Sequence, residues 1–225
     1  MRIVVTGAAG GIGREIVHQL SEVGHTLLCS DISPQTRASS RVDVTDEVQV
    51  AALFDQAGGV DAVIHAAGLG VFKPFCELTA SDWRSMLEAN VLGAFLVSRA
   101  AARTMSQSGG GRIIHFGSVA NARALDGSAG YGASKAALEM MCRSMNHELS
   151  GAGIRTTFLT LGAVYTPIWE GRAGYSASDM LSVADVAAAV KGIVESPLHV
   201  RIDEMTLLPP KGILWSAANL PDCRP

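Results

Sequence analysis

Short apolar runs that fit strands alternate with longer amphipathic runs that fit helices along the whole sequence. Residues 2–6, 26–30, 61–65, 112–116, 154–160 and 204–208 read as strands, and a shorter one is centred on Val42. Residues 11–22 carry Ile12, Ile16, Val17 and Leu20 on one helical stripe. Residues 47–56, 81–105, 131–149 and 183–194 repeat the helical spacing, with an interruption near 91–94. Such alternation leaves few architectures open. A strand that is followed by a helix crosses over and returns parallel, so the expected sheet is mostly parallel and covered on both faces. The reading is a doubly wound α/β fold of about seven strands. No linker or repeat divides the chain, so residues 1–225 are read as a single domain.

Composition narrows the function. Of 225 residues, 48% are hydrophobic and 17% charged, ample for one core. A net charge of -3 with no run of Lys or Arg argues against nucleic acid and against a polybasic membrane anchor. No apolar stretch approaches the ~18 residues of a transmembrane helix. Met1-Arg2 leads directly into Ile3-Val4-Val5, a strand start rather than a signal peptide. Cys29, Cys76, Cys142 and Cys223 lack ligand-like spacing and read as reduced thiols. The expectation is a cytoplasmic protein without a metal.

In such a fold, ligands gather beyond the carboxyl ends of the strands. Thr6-Gly7-Ala8-Ala9-Gly10-Gly11-Ile12-Gly13 joins the first strand to the first helix. Glycines there let the backbone turn sharply against a pyrophosphate, and the helix N-terminus offers free N–H groups. Asp31 ends the second strand, where a carboxylate accepts from adenosine ribose hydroxyls and repels a 2′-phosphate. Gly10, rather than a cation, precedes Gly11, so NAD is favoured over NADP. Arg14, Arg37 and Arg41 stand close enough to blur that preference. Asp43 is placed either at the adenine edge or in a turn.

Tyr131 and Lys135 are four apart at the start of a predicted helix, on one face. A free phenol titrates near ~10. An adjacent ammonium stabilises the phenolate and makes it a general acid/base for an alcohol or carbonyl. Ser118 ends the fifth strand and can hold a substrate oxygen beside that phenol. Asn90 lies in mid-helix, where an amide side chain competes with the backbone and implies a kink, a water or a proton path.

Taken together, these residues resemble the short-chain dehydrogenase/reductase family of the single-domain classical kind, from Thr6 to about Pro209. The resemblance implies a Rossmann-type sheet and hydride transfer between nicotinamide and a secondary alcohol or ketone. Tyr131 would exchange the proton and Ser118 polarise the substrate oxygen. Lys135 would bind the nicotinamide ribose and lower the Tyr131 pKa, and Asn90 would hold a water leading to Lys135. Gly7, Gly11, Ile12 and Gly13 would line the pyrophosphate. Asp43 and Val44 would flank the adenine, and Ala66, Ala67 and Gly68 would pass under the adenosine ribose. Val164 and Thr166 would meet the carboxamide.

The chain departs from the family pattern at several places. His65 replaces the usual Asn and is read as a structural hydrogen-bonder between strands. Leu161 replaces a Pro, which suggests a looser nicotinamide loop. The stretch between Asp31 and Asp43 is short, so a helix there is expected to be lost. The span 166–183 is short for a substrate lid, and 204–212 lacks the usual Gly-rich end.

Val119, Arg123, Leu125, Tyr165, Ile168, Trp169 and Tyr175 are the candidate pocket residues. Ala94, Ser98, Ala101, Ala102, Ala133 and Ala137 are read as small residues on the helix faces away from the cofactor, which let helices approach closely; the resemblance implies that these helices pair across a dimer interface, so a homodimer or homotetramer is expected. Two alternatives stay open: an NADPH-dependent carbonyl reductase that meets the 2′-phosphate with Arg37 or Arg41, and a dinucleotide-sensing protein without turnover.

Overall fold

A computed structural model of the chain describes residues 1–33, 39–166 and 176–213. Seven strands form one sheet: β1 Arg2–Thr6, β2 Thr26–Asp31, β3 Ser39–Arg41, β4 Ala62–His65, β5 Gly111–Phe116, β6 Ile154–Leu161 and β7 Glu204–Leu207. Their order is β3-β2-β1-β4-β5-β6-β7, and every pairing is parallel. The order reverses between β1 and β4, which opens a crevice above the carboxyl ends of these two strands.

The helices are α1 Gly11–Glu22, α2 Glu47–Ala57, α3 Ala80–Leu87, α4 Gly93–Gln107, α5 Ala129–Glu148 and α6 Val183–Glu195. Successive strand side chains point to opposite faces. Ile3, Val5, Ile64 and Ile114 therefore pack beneath Ile16 and Leu20 of α1 and Val186, Val190 and Ile193 of α6. Val4, Val63 and Ile113 pack against Leu53 and Phe54 of α2 and Leu96, Val97 and Met105 of α4. Burial on both faces explains why the strands read as continuous apolar runs.

Helix ends are tied by specific side chains. Asp46 caps α2, while Thr79–Asp82 and Ser182–Asp185 make reciprocal capping boxes on α3 and α6. At the other end of α6, the buried Arg112 guanidinium donates to Ser196 O (2.5 Å) and Pro197 O (2.7 Å). Asn146 of α5 both accepts from Thr156 N (2.8 Å) and donates to Thr156 O (2.7 Å), which fixes that helix on β6.

Several expectations change. The third strand precedes Val42, whose N–H donates to Asp31 O (2.9 Å) just past the ladder. The helical interruption is a π-turn at Glu88–Leu92, centred on Asn90 rather than beginning after it. β6 continues through Leu161, because without a proline its backbone stays in the ladder opposite Leu207. Beyond it, Tyr165 N–H donates to Leu181 O (2.8 Å) and Leu181 N–H to Ala163 O (2.9 Å), so this loop is tied rather than loose. Ala94, Ser98 and Ala101 face the core, at 0%, 3% and 0% exposure. They recur at helical spacing on the sheet-facing side, and only Ala133 and Ala137 of that set lie on the outer surface. Residues 34–38, where a helix was expected to be missing, lie outside the described residues. Among the described residues, no helix is long and apolar enough to cross a membrane.

Candidate active site

The glycine turn that follows β1 is shaped by close approach. Gly7 has φ +70°, and a Cβ there would lie 2.4 Å from Ala67 N. A Cβ on Gly13 would lie 2.1 Å from Gly7 O. Gly11 opens α1, and Gly10 caps it without a side chain. No acidic residue lies in the first turn of α1. The N–H groups of that turn thus have no side-chain cap, unlike those of the capped helices α2, α3 and α6.

Asp31, at the end of β2, is half-buried. Its Oδ2 accepts from Ala9 N (3.0 Å) and its Oδ1 from Ser33 N (2.9 Å). The carboxylate therefore stands against the glycine turn. Arg41 is its register partner on β3, and the Arg14 guanidinium donates to Ala9 O (3.0 Å). Asp43 serves the turn: its Oδ1 accepts from Thr45 N (2.9 Å) and Thr45 Oγ1 (2.7 Å). Val44 packs on the start of α4, where a Cβ on Gly93 would lie 2.8 Å from Val44 Cγ2.

After β4 the chain passes through Ala66, Ala67 and Gly68. A Cβ on Gly68 would lie 3.0 Å from Asn90 Oδ1 and 3.7 Å from Lys135 Nζ. Asn90 is buried in the π-turn, a distortion often found at functional sites. Its Oδ1 accepts from Leu69 N (2.8 Å), and its Nδ2 donates to Leu69 O (2.8 Å) and Ser134 Oγ (2.9 Å). The amide thus holds the loop after β4, and its side chain is spent on that task.

Tyr131 and Lys135 sit in the first two turns of α5. Gly132 lets that helix approach the 119–121 turn, since a Cβ there would lie 2.7 Å from Ala120 O. Ser118 caps this turn, accepting from Ala120 N (3.2 Å). Its hydroxyl stands near enough to the Tyr131 phenol to favour the phenolate. Lys135 Nζ donates to Phe116 O (2.8 Å) and stands 5.6 Å from the Tyr131 ring centroid. Burial pushes the ammonium down to about 8. Burial also holds the phenol above its ordinary value, and the Ser118 hydroxyl partly offsets this. The lowering expected from Lys135 does not enter that balance, because removal from water is the larger effect on an enclosed phenol.

These groups open onto one cavity of about 280 Å³. Ile12, Ala66, Gly68, Ser118, Tyr131, Lys135, Val164 and Thr166 line it, so cofactor-side and chemistry-side residues converge. Leu69, Phe72, Val119 and Leu125 supply an apolar wall. The Phe72 ring packs 5.2 Å from that of Tyr131. Sequence reasoning missed Phe72; an aromatic four residues beyond Gly68 was the available signal. Arg123 and Tyr165 are exposed and do not line the cavity, while Ile168, Trp169 and Tyr175 lie outside the described residues.

Comparison with known proteins gives the chain a family and matches its fold. Residues 1–176 match the family model described as short chain dehydrogenase. An uncharacterized oxidoreductase of Staphylococcus aureus is 30% identical over 224 residues, with 92% of this chain and 96% of the relative covered. One from Staphylococcus epidermidis is 29% identical over 221 residues, with the same coverage. Among solved structures, a 7α-hydroxysteroid dehydrogenase complexed with NADH and 7-oxo glycochenodeoxycholic acid superposes with a TM-score of 0.84. It is 26% identical, with 94% of each chain covered. Serine dehydrogenase from Escherichia coli gives 0.83 at 25% identity, over 95% of this chain and 100% of that one.

Proposed function

Because the chain belongs to the short-chain dehydrogenase/reductase family, we propose that it transfers hydride between NAD(H) and a small secondary alcohol or ketone, with Tyr131 as general acid/base. The observation that carries this reading is the convergence of Ser118, Tyr131 and Lys135 on one cavity with the glycine turn at its edge.

The residues present fit a nicotinamide dinucleotide. The uncapped start of α1 suits its pyrophosphate, with Gly7, Gly11, Ile12 and Gly13 around it. Asp31 suits the adenosine ribose, with Ala66, Ala67 and Gly68 below it and Asp43 and Val44 beside the adenine. The Lys135 ammonium suits the second ribose, with Val164 and Thr166 at the carboxamide. When bound, the nicotinamide supplies or accepts hydride at C4.

The chain's own residues manage the oxygen. Ser118 Oγ donates to the substrate oxygen and fixes it beside Tyr131 Oη. In ketone reduction the phenol gives its proton to that oxygen as the carbon receives hydride; in alcohol oxidation the phenolate takes it back. The raised phenol pKa keeps the acid form filled at neutral pH. Asn90 keeps the Leu69 loop over the cavity and so acts as a positioning residue. Leu69, Phe72, Val119 and Leu125 favour an uncharged, apolar substrate body.

NADPH is the second reading, favoured by Arg41 across from Asp31 and Arg14 at the turn. A sensor without turnover would have no need for an enclosed Ser–Tyr–Lys set. The same reading places the chain in the cytoplasm as a homodimer or homotetramer, and a monomeric mass by light scattering at micromolar concentration would refute the assembly. Fluorescence titration with NADH and NADPH tests the core of the proposal. Tighter NADH binding is expected, tighter NADPH binding selects the second reading, and binding of neither overturns both.

A further inference from the structure

Two buried imidazoles beneath Lys135 are not used by the chemistry above. His65 ends β4, and His115 is its register partner on β5. Thr6 and Phe158 continue the row on β1 and β6. Register partners share a face of the sheet, here the face on which Phe158 packs against Ala94 of α4 and Leu138 of α5. The two rings are 2% and 0% exposed, edge-to-face, with centroids 5.4 Å apart. One nitrogen of each is fixed: His65 Nδ1 lies 2.8 Å from Thr6 Oγ1, and His115 Nε2 lies 2.8 Å from Ser98 Oγ. The other two nitrogens, His65 Nε2 and His115 Nδ1, are buried without a hydrogen-bond partner among the described residues.

Lys135, on α5, acts on both rings, since its charge helps to depress both imidazoles. Its ammonium donates to the carbonyl of Phe116, the residue after His115, and has further N–H groups to place. Buried polar atoms are rarely left unpaired, and an orphan nitrogen on each of two touching rings within the field of one cation points to a small polar guest.

We propose that His65 Nε2 and His115 Nδ1 hold a buried water that also accepts from the Lys135 ammonium, and that the imidazole pair thereby positions Lys135. The hydrogen bonds of the four ring nitrogens balance. The water donates its two protons to the two ring lone pairs and accepts one N–H from Lys135. His65 then carries its proton on Nδ1 and donates to Thr6 Oγ1; His115 carries its proton on Nε2 and donates to Ser98 Oγ. Both rings remain neutral, since burial and the nearby Lys135 cation push both well below their ordinary value, His115 to about 3. Of the other titratable groups on this side of α5, the Cys142 thiol is kept protonated by burial, the Tyr131 phenol is held above its ordinary value by burial, and Glu139 pairs with Arg143. The role for Lys135 in binding a cofactor rests on the proposed function; the water site does not.

Ring 15N NMR of histidine-labelled protein tests the site from pH 5 to 9. One Nδ1–H ring and one Nε2–H ring are expected, both neutral throughout. The first signal set should vanish in His65→Asn and the second in His115→Asn, and both should shift in Lys135→Met. A ring that titrates near ~6.5, the opposite tautomers, or rings unmoved by Lys135→Met would overturn the proposal. The second readout is the pH dependence of NADH binding. In His115→Phe its alkaline limb should move down by about one pH unit, because the ammonium loses an acceptor, and His115→Gln should restore part of the shift. An unmoved limb refutes the positioning role. Absence of NADH binding by the wild-type chain sinks the dehydrogenase reading instead, and the ring spectra then decide the water site by themselves.

Discussion

Tyr131 is an enclosed phenol whose oxygen meets one hydroxyl, that of Ser118, and whose ring lies between Phe72 and Lys135. Removing that oxygen isolates proton transfer from binding. Tyr131→Phe should lower kcat by at least ~10²-fold, the scale of general acid/base catalysis, while the NADH dissociation constant measured by fluorescence stays within error. Asp31 accepts from the glycine turn and, in the proposed function, also faces the ribose. Asp31→Ala should weaken NADH about tenfold, the worth of a charge-assisted hydrogen bond, and raise the NADPH/NADH affinity ratio. Equal weakening of both would show that only the turn was disturbed. These residues were legible in the sequence because their chemistry is local: four residues fix Tyr131 to Lys135, and a strand end fixes Asp31 beside the turn. The contact of Phe72 with Tyr131 was not legible, because it joins the loop after β4 to the start of α5, which only the fold brings together.

Among the elements, the π-turn at Glu88–Leu92 turns Asn90 inward at the loop after β4. Asn90→Ala would leave the Leu69 N–H and C=O without their partners. A loss of about 1–3 kcal/mol in denaturant stability is expected, with a fall in kcat that exceeds the change in NADH affinity. The sequence signalled this irregularity through a poor helix former in mid-helix, but not its partner. It also could not show which way α4 faces. Ala94, Ser98 and Ala101 recur at helical spacing, yet small size suits a tight core as well as an outer interface. His115 settles the matter by taking Ser98 as its hydrogen-bond partner. The strand order was legible as a class, from strict alternation, while the exact ends of β3 and β6 depended on backbone bonds to neighbouring strands.

For the whole molecule, the two enclosed imidazoles tie stability to pH. Both have folded-state values depressed below ~6.5. The unfolded chain therefore binds more protons than the folded one as pH falls through ~6.5. Stability is full above that value and declines below it, by about 1 kcal/mol per pH unit for each ring, down to the folded-state values. Thermal melts from pH 7.5 to 5 should show a falling midpoint, and His115→Asn should flatten the slope. A midpoint independent of pH over this range would contradict neutral burial.

The cavity is opened by Ile12 and closed by Thr166, and β1 receives a neighbour on one side from β2 and on the other only after β4. A ribosome delivers these parts in order. The glycine turn emerges early but gains its opposing wall only when β5, α5 and β6 have followed. If the chain binds a dinucleotide as proposed, that ligand would find nothing complete to grip on a half-made chain, and its stabilising effect would fall on the finished protein alone.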